Sequence, residues 1–192
     1  MKKQLLHSGW QLTTVGKNDT IPATVPGSVY NDLLNAGRME DPYWRDNEMK
    51  ALALMDEDYR YNTTFDVNAD VLNSERVLLR CEGLDTIADI VLNGEKIASV
   101  CNMHRTWEFD VKDSLKTTGN TLEIVFHSPT KYIKEQDKIC HAGGSDEAMV
   151  GFPNLRKAHC MFGWDWGPRL PDAGIWRPIF LRTWDAARLE NA

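Results

Sequence analysis

Residues 59–67 read Tyr59-Arg60-Tyr61-Asn62-Thr63-Thr64-Phe65-Asp66-Val67. Tyr59, Tyr61, Phe65 and Val67 fall on one side of a period of two, and Arg60, Asn62, Thr64 and Asp66 on the other. Successive side chains of an extended chain point to opposite faces, so this alternation predicts a half-buried strand. The pattern returns at Arg76 to Cys81, at Thr106 to Val111 with Trp107, Phe109 and Val111 inward, at Thr121 to His127, and at Trp176 to Trp184. The run from Ala88 to Ala98 carries its own turn: Asn93-Gly94 between two apolar stretches tolerates the positive φ angles of a tight type I′ hairpin. One short helix is predicted from about Val29 to Ala36, with Ser28 placed to cap it, Gly37 able to end it in the left-handed conformation, and Pro26 standing just outside.

Short strands at this spacing with few helices predict an all-β fold, a sandwich or jelly roll. A chain of 192 residues can bury one substantial core, so residues 1–192 are read as a single domain. From Ser128 to Arg169 the strand signal fades. A connection that long in a compact domain is usually functional or disordered, and the tryptophans within it favour function. Its first part, Ser128 to Pro153, is expected to be mobile.

A formal charge of -6 and a pI near 5.4 argue against nucleic acid as a partner, because a phosphate backbone recruits basic surfaces. No apolar run approaches the roughly 20 residues of a membrane helix, and Met1 to Leu12 holds two lysines with no apolar stretch behind them. That start fits a cytoplasmic chain equally with a periplasmic, lysosomal or secreted one whose signal was trimmed. Asn18-Asp19-Thr20 and Asn62-Thr63-Thr64 fit the glycosylation acceptor pattern, which matters only in the secreted eukaryotic case. Cys81, Cys101, Cys140 and Cys160 are widely spaced, and most of them are read as reduced, small hydrophobes. Cys140-His141 and His159-Cys160 are poor chelators, since adjacent residues of an extended chain diverge. No metal and no cofactor are expected.

Residues 159–171 read HCMFGWDWGPRLP. Sugars present polar edges and apolar C–H faces, so a pocket for them needs aromatic surfaces and carboxylates that accept from vicinal hydroxyls. Trp164-Asp165-Trp166 supplies both, and an ionised Asp accepts two charge-assisted bonds at once. The same spacing also fits Phe162, Trp164 and Trp166 as one apolar strand face with Asp165 solvated between them. Gly163, Gly167 and Pro168 shift the balance toward a loop, and spacing leaves both readings open. Trp10, Trp44, Trp107, Trp176 and Trp184 are assigned to the core or its edge. Asn102-Met103-His104-Arg105 is either a polar presentation at a sandwich end or a plain connecting loop. The chain has no G-x-S-x-G, P-loop, H-E-x-x-H or G-x-G-x-x-G motif. Retaining glycoside hydrolysis needs two carboxylic acids about 5–5.5 Å apart, and among 28 acids no pair stands out. Asp56-Glu57-Asp58 reads as a solvated run ahead of a strand.

Several stretches in order resemble one family: Val25-Pro26-Gly27-Ser28-Val29-Tyr30-Asn31-Asp32-Leu33-Leu34, Asp41-Pro42-Tyr43, Gly83-Leu84-Asp85-Thr86, Leu92-Asn93-Gly94, Asn102-Met103-His104-Arg105, Arg156-Lys157, and Gly163 to Arg169 through Gly174-Ile175-Trp176-Arg177-Pro178. Together, from Trp10 to Leu189, they are similar to the N-terminal sugar-binding jelly roll of family 2 glycoside hydrolases, with a galactose-binding-like sandwich, and closest in pattern to β-mannosidases. The resemblance implies a non-catalytic domain of a retaining exo-glycosidase, placed ahead of an immunoglobulin-like domain and a (β/α)₈ barrel that carries the two catalytic glutamates. On that reading this chain holds no catalytic residue, is inactive by itself and is an excised domain or a truncated gene product. Asp165 would accept hydroxyl bonds from a terminal β-mannose at the barrel mouth, with Trp164 or Trp166 packing beside it and Asn102 as a further substrate contact. The alternatives are an autonomous carbohydrate-binding module, the equivalent domain of a β-galactosidase or β-glucuronidase, or a domain whose tryptophans serve an interface.

Overall fold

In the computed structural model, which describes residues 1–189, the alternating segments become strands. They are β1 (Lys2–Leu5), β2 (Gln11–Thr14), β3 (Thr20–Pro22), β4 (Tyr59–Phe65), β5 (Arg76–Cys81), β6 (Ile87–Leu92), β7 (Glu95–Cys101), β8 (Trp107–Asp110), β9 (Asn120–Phe126), β10 (Phe162–Trp164), β11 (Gly167–Arg169) and β12 (Ile179–Trp184). Among the described residues three antiparallel sheets form: one of six strands in the order β3-β2-β4-β9-β6-β7 and one of four in the order β1-β12-β5-β8 make the sandwich, and β10 and β11 pair as a separate two-stranded sheet. The all-β sandwich expected from the sequence is the fold observed.

The register explains the alternation. Tyr61 pairs with Ile124 and Thr63 with Leu122 across β4 and β9, and Leu79 pairs with Leu181 across β5 and β12. Each such pair puts its side chains on the same face. Tyr59, Tyr61, Ile90, Leu122 and Phe126 from the larger sheet join Val77, Leu79, Ile179 and Leu181 from the smaller in one buried core. Tyr61 meets Trp10 and Phe126 edge-on, with ring centroids 6.4 Å and 5.7 Å away. The Trp10 Nε1–H donates to the Leu6 carbonyl (2.7 Å). At the β6–β7 turn Asn93 and Gly94 take φ of 53° and 85°, the left-handed pair a type I′ turn requires.

The expected helix is α1 (Val29–Asn35), and the Ser28 Oγ accepts from the Asn31 N–H at 3.5 Å. The Asp32 carboxylate ties it to the sandwich, accepting from the Tyr61 hydroxyl (2.9 Å) and the Thr24 N–H (2.9 Å). Three further α-helices among the described residues correct the expectation of a single one: α2 (Asn47–Leu54), α3 (Ala69–Leu72) and α4 (Pro129–Ile139). The last two bury few residues, only Val71 in α3 and Pro129, Thr130 and Ile133 in α4. Their periodicity is therefore too thin to stand out.

Segment 128–153, expected to be mobile, holds α4 and packs a second small core of Ile133, Ala148, Phe152, Leu155 and Phe162. Asp56 and Asp58, read as solvated, bind the start of α4: Asp58 accepts from the Ser128 N–H (2.8 Å) and Asp56 from the Thr130 hydroxyl (2.6 Å). This is the acidic company a helix N-terminus favours.

Trp10 is buried, and Trp107, Trp176 and Trp184 are half-buried at the rim. Trp44 is 61% exposed, contrary to expectation, because it lies in the turn leading into α2 and no strand turns it inward. Of the cysteines only Cys81 behaves as a small hydrophobe; burial pushes its thiol up to about 12. Cys101, Cys140 and Cys160 are exposed thiols.

Candidate functional site

Trp164 pairs with Gly167 and Phe162 with Arg169, so β10 and β11 form a hairpin whose two-residue turn is Asp165-Trp166. Phe162 is fully buried in the second core, 6.1 Å from Phe152 between ring centroids. Trp164 is 46% exposed and Trp166 81%. Three aromatics on one buried strand face is therefore not the arrangement: one residue anchors the hairpin and the two indoles stand out at its tip. Their centroids are 6.2 Å apart and the rings are inclined at 48°. The exposed Asp165 carboxylate between them has no hydrogen-bond partner among the described residues. Pro168, read as favouring a loop, lies inside β11; a two-stranded ribbon has free edges and tolerates the missing N–H.

Gly163 takes φ of 94°, and a Cβ built there would stand 2.4 Å from Arg169 Cγ. The Arg169 side chain thus lies across Gly163, and continues to α2. There one oxygen of Glu48 accepts from both the Arg169 backbone N–H (3.0 Å) and Nε–H (2.7 Å). Partial burial alone would raise the Glu48 carboxyl; the two hydrogen bonds and the charge of Arg169 outweigh it and hold the group below its ordinary value. On the opposite strand the Phe162 carbonyl accepts from the Met149 N–H at 3.0 Å. Glu48, Glu147, Trp164, Asp165, Trp166 and Arg169 line an open basin of about 450 Å³.

Asn102 is not part of that basin. Its Oδ1 accepts from the His104 N–H (2.9 Å), closing a local turn, and its backbone bridges to Arg156. Beyond that bridge lies a contact that no local pattern announces. The Lys157 ammonium, fully buried, donates to the Asp85 carboxylate and to the Asp172 carbonyl (2.6 Å). Asp172 in turn accepts from the N–H groups of Tyr30 (3.0 Å) and Ala173 (2.8 Å). A buried ammonium without partners would be too costly to retain, so this network fixes segment 128–172 against the sandwich and with it the hairpin base. Gly83, from the same motif as Asp85, is small because a Cβ there would stand 2.5 Å from Trp176 Nε1.

Glu48 was not foreseen. The run Asn47-Glu48-Met49-Lys50-Ala51-Leu52-Ala53-Leu54 consists almost wholly of strong helix formers, which was the signal available for α2. Nothing local announced that its first turn faces the hairpin. Among the described residues no group of three or more His, Cys, Asp and Glu side chains is arranged to hold a metal ion, and no helix is long and apolar enough to cross a membrane.

Residues 10–177 match the family described as glycosyl hydrolase 2 galactose-binding domain-like. The chain is 31% identical to the β-mannosidase of Bos taurus over 194 residues, covering 96% of this chain and 22% of that protein. It is 34% identical to β-mannosidase A of Aspergillus terreus, covering 90% and 19% respectively. The crystal structure of the β-D-mannosidase of Dictyoglomus thermophilum superposes with a TM-score of 0.93 at 38% identity, over 98% of this chain and 23% of that one. The exo-chitosanase of Amycolatopsis orientalis, at 18% identity and a TM-score of 0.70, shares the fold. The chain thus spans about a fifth of the length of these relatives. Matched across most of its length by the profile and by relatives above 30% identity, it belongs to the galactose-binding domain-like family of glycosyl hydrolase 2.

Proposed function

We propose that this domain serves a β-mannosidase-like retaining exo-glycosidase, and that its Trp-Asp-Trp hairpin forms one wall of the pocket for a terminal β-mannose. The observation that carries the reading is the unpartnered Asp165 carboxylate held between two exposed indoles 6.2 Å apart. An ionised carboxylate offers two oxygens to adjacent sugar hydroxyls, and an indole face covers the apolar side of a pyranose. The acid/base and nucleophile belong to further domains of the parent enzyme, and this chain by itself turns over no mannoside. Exposed Tyr43, which shares a cavity with Pro168, and exposed Met49, which touches Arg169, support packing against those domains, since grouped apolar surface marks interfaces.

In the full glycosidase, Asp165→Ala should lower kcat/KM for an aryl β-mannoside by roughly 100-fold, the effect of losing one or two charge-assisted hydrogen bonds. An unchanged kcat/KM with the fold intact would overturn the assignment. A second reading, an autonomous carbohydrate-binding module, draws on the openness of the tip, which no other part of the described chain covers. Titrating this chain with methyl β-mannoside while following the indole N–H signals separates the two. Saturation at millimolar ligand or below, lost in Asp165→Ala, supports a module; no shift supports a half-pocket.

A further inference from the structure

The Glu48 carboxylate of α2 grips β11, and it does so through the backbone as well as the side chain of Arg169. The hairpin therefore has two anchors of different kinds. β10 is held by burial: Phe162 sits in the second core, and its carbonyl is taken by Met149. β11 has no buried residue, its three positions all being half-exposed, and its charged attachment outside the hairpin, among the described residues, is the Glu48 contact. The aliphatic part of Arg169 meanwhile lies across Gly163, its Cγ 2.4 Å from where a Cβ would stand, so the same side chain that reaches Glu48 also covers the opposite strand. Its Nη2 ends 3.4 Å from Met49 Sδ, the next residue of α2. The two residues following this grip toward the tip are Pro168 and Gly167, then Trp166 and Asp165.

We infer that Glu48 is a positioning residue for the Trp-Asp-Trp hairpin: by fixing the Arg169 N–H and guanidinium to α2 it sets where Asp165 and the two indoles stand relative to the sandwich. The inference rests on the sugar-pocket reading for its purpose, while its mechanics are independent of any sugar. Glu48 touches no reacting atom; it acts through Arg169. A glutamine in its place still offers a carbonyl oxygen to both donors, whereas alanine offers none.

The test has two readouts. In the 192-residue chain, backbone order parameters of Trp164, Gly167 and Arg169 should fall in Glu48→Ala from about 0.85 to below about 0.6, with the Arg169 amide losing its exchange protection. The amides of β4 and β9 should not change, and Glu48→Gln should restore most of the order. In the full glycosidase, Glu48→Ala should lower kcat/KM for an aryl β-mannoside about 10-fold or more, since misplacement by an ångström already carries a large rate penalty, and Glu48→Gln should recover most of it. Unchanged order in Glu48→Ala overturns the clamp. Loosened β11 with kcat/KM intact reduces the contact to a structural staple and overturns its positioning role. Asp165→Ala, which touches neither Glu48 nor Arg169, separates the two ideas: it should leave the order of β11 unchanged, and if it also leaves kcat/KM unchanged the sugar reading fails while the clamp is still judged by the order parameters.

Discussion

At Gly163 the backbone is left-handed, with φ of 94°, and the space where a Cβ would sit is filled by Arg169 Cγ at 2.4 Å. Gly167, on the other side of the turn, has no positive φ and nothing within 4 Å of the same position. In the sequence the two glycines look like matched brackets around Trp164-Asp165-Trp166, yet only one of them is required. Gly163→Ala should lower the unfolding free energy by about 1–3 kcal/mol, the cost of a non-glycine residue held in a sparsely populated backbone region. It should also move both indole signals, because the Arg169 side chain must give way and it links the hairpin to α2. Gly167→Ala should stay within about 0.5 kcal/mol of the native chain, as unremarkable surface changes do. Denaturant unfolding of the two variants side by side checks this; equal losses would mean that the Arg169 packing over Gly163 carries no energy.

Among the elements, α4 and β10 form a unit of their own. Ile133 on α4 is fully buried and shares its cluster with Phe162 on β10 and with Phe152 and Leu155 between them, apart from the main core. Ile133→Ala should cost about 2–5 kcal/mol, as truncating a buried aliphatic side chain does. Because the cluster is separate, the loss should appear as local opening: faster amide exchange over residues 129–169, with β4 and β9 keeping their protection. Uniform acceleration across both sheets would count against an independent unit. The strands were legible in the sequence because each buries one face against a continuous core, which writes a period of two into Tyr59, Tyr61 and their neighbours. α4 was not, since a helix that buries only Ile133 and its first turn writes almost no period. Its start signal was nevertheless present: Ser128 followed by Pro129, a side-chain cap and a proline at the first helical position. The hairpin motif was legible as chemistry. Its grip on Glu48, 121 residues away in the chain, was not, because such a contact exists only once the sandwich has brought α2 and β11 together.

Across the whole molecule, Asp172 is where three parts of the chain meet. Its carboxylate accepts from the Tyr30 N–H at the start of α1 and from the Ala173 N–H ahead of β12, and its carbonyl accepts from Lys157 of the long excursion. Desolvation pushes its carboxyl up to about 6, against the opposing pull of Ser28, the two N–H groups and the Lys157 charge. An acid whose pKa is higher folded than unfolded takes up its proton more readily in the native state, so the stability linked to that proton is fully present below about pH 4, the unfolded value. It is lost as pH rises through about 6. Asp89 and Glu48 shift the other way, Asp89 to about 2, so the slope of the native chain alone mixes opposing contributions. Asp172→Asn isolates one of them, since its carboxamide oxygen still accepts from the two N–H groups and it has no proton to lose. Between pH 4 and pH 7 the native chain should lose about 3 kcal/mol relative to this variant, a shift of two pKa units counted at about 1.4 kcal/mol each. Urea unfolding of both proteins at half-unit steps of pH measures the difference directly. Parallel stability curves would mean that Asp172 titrates in the folded chain as it does in the unfolded one, and that the junction of α1, Lys157 and β12 holds its carboxylate as readily as water does.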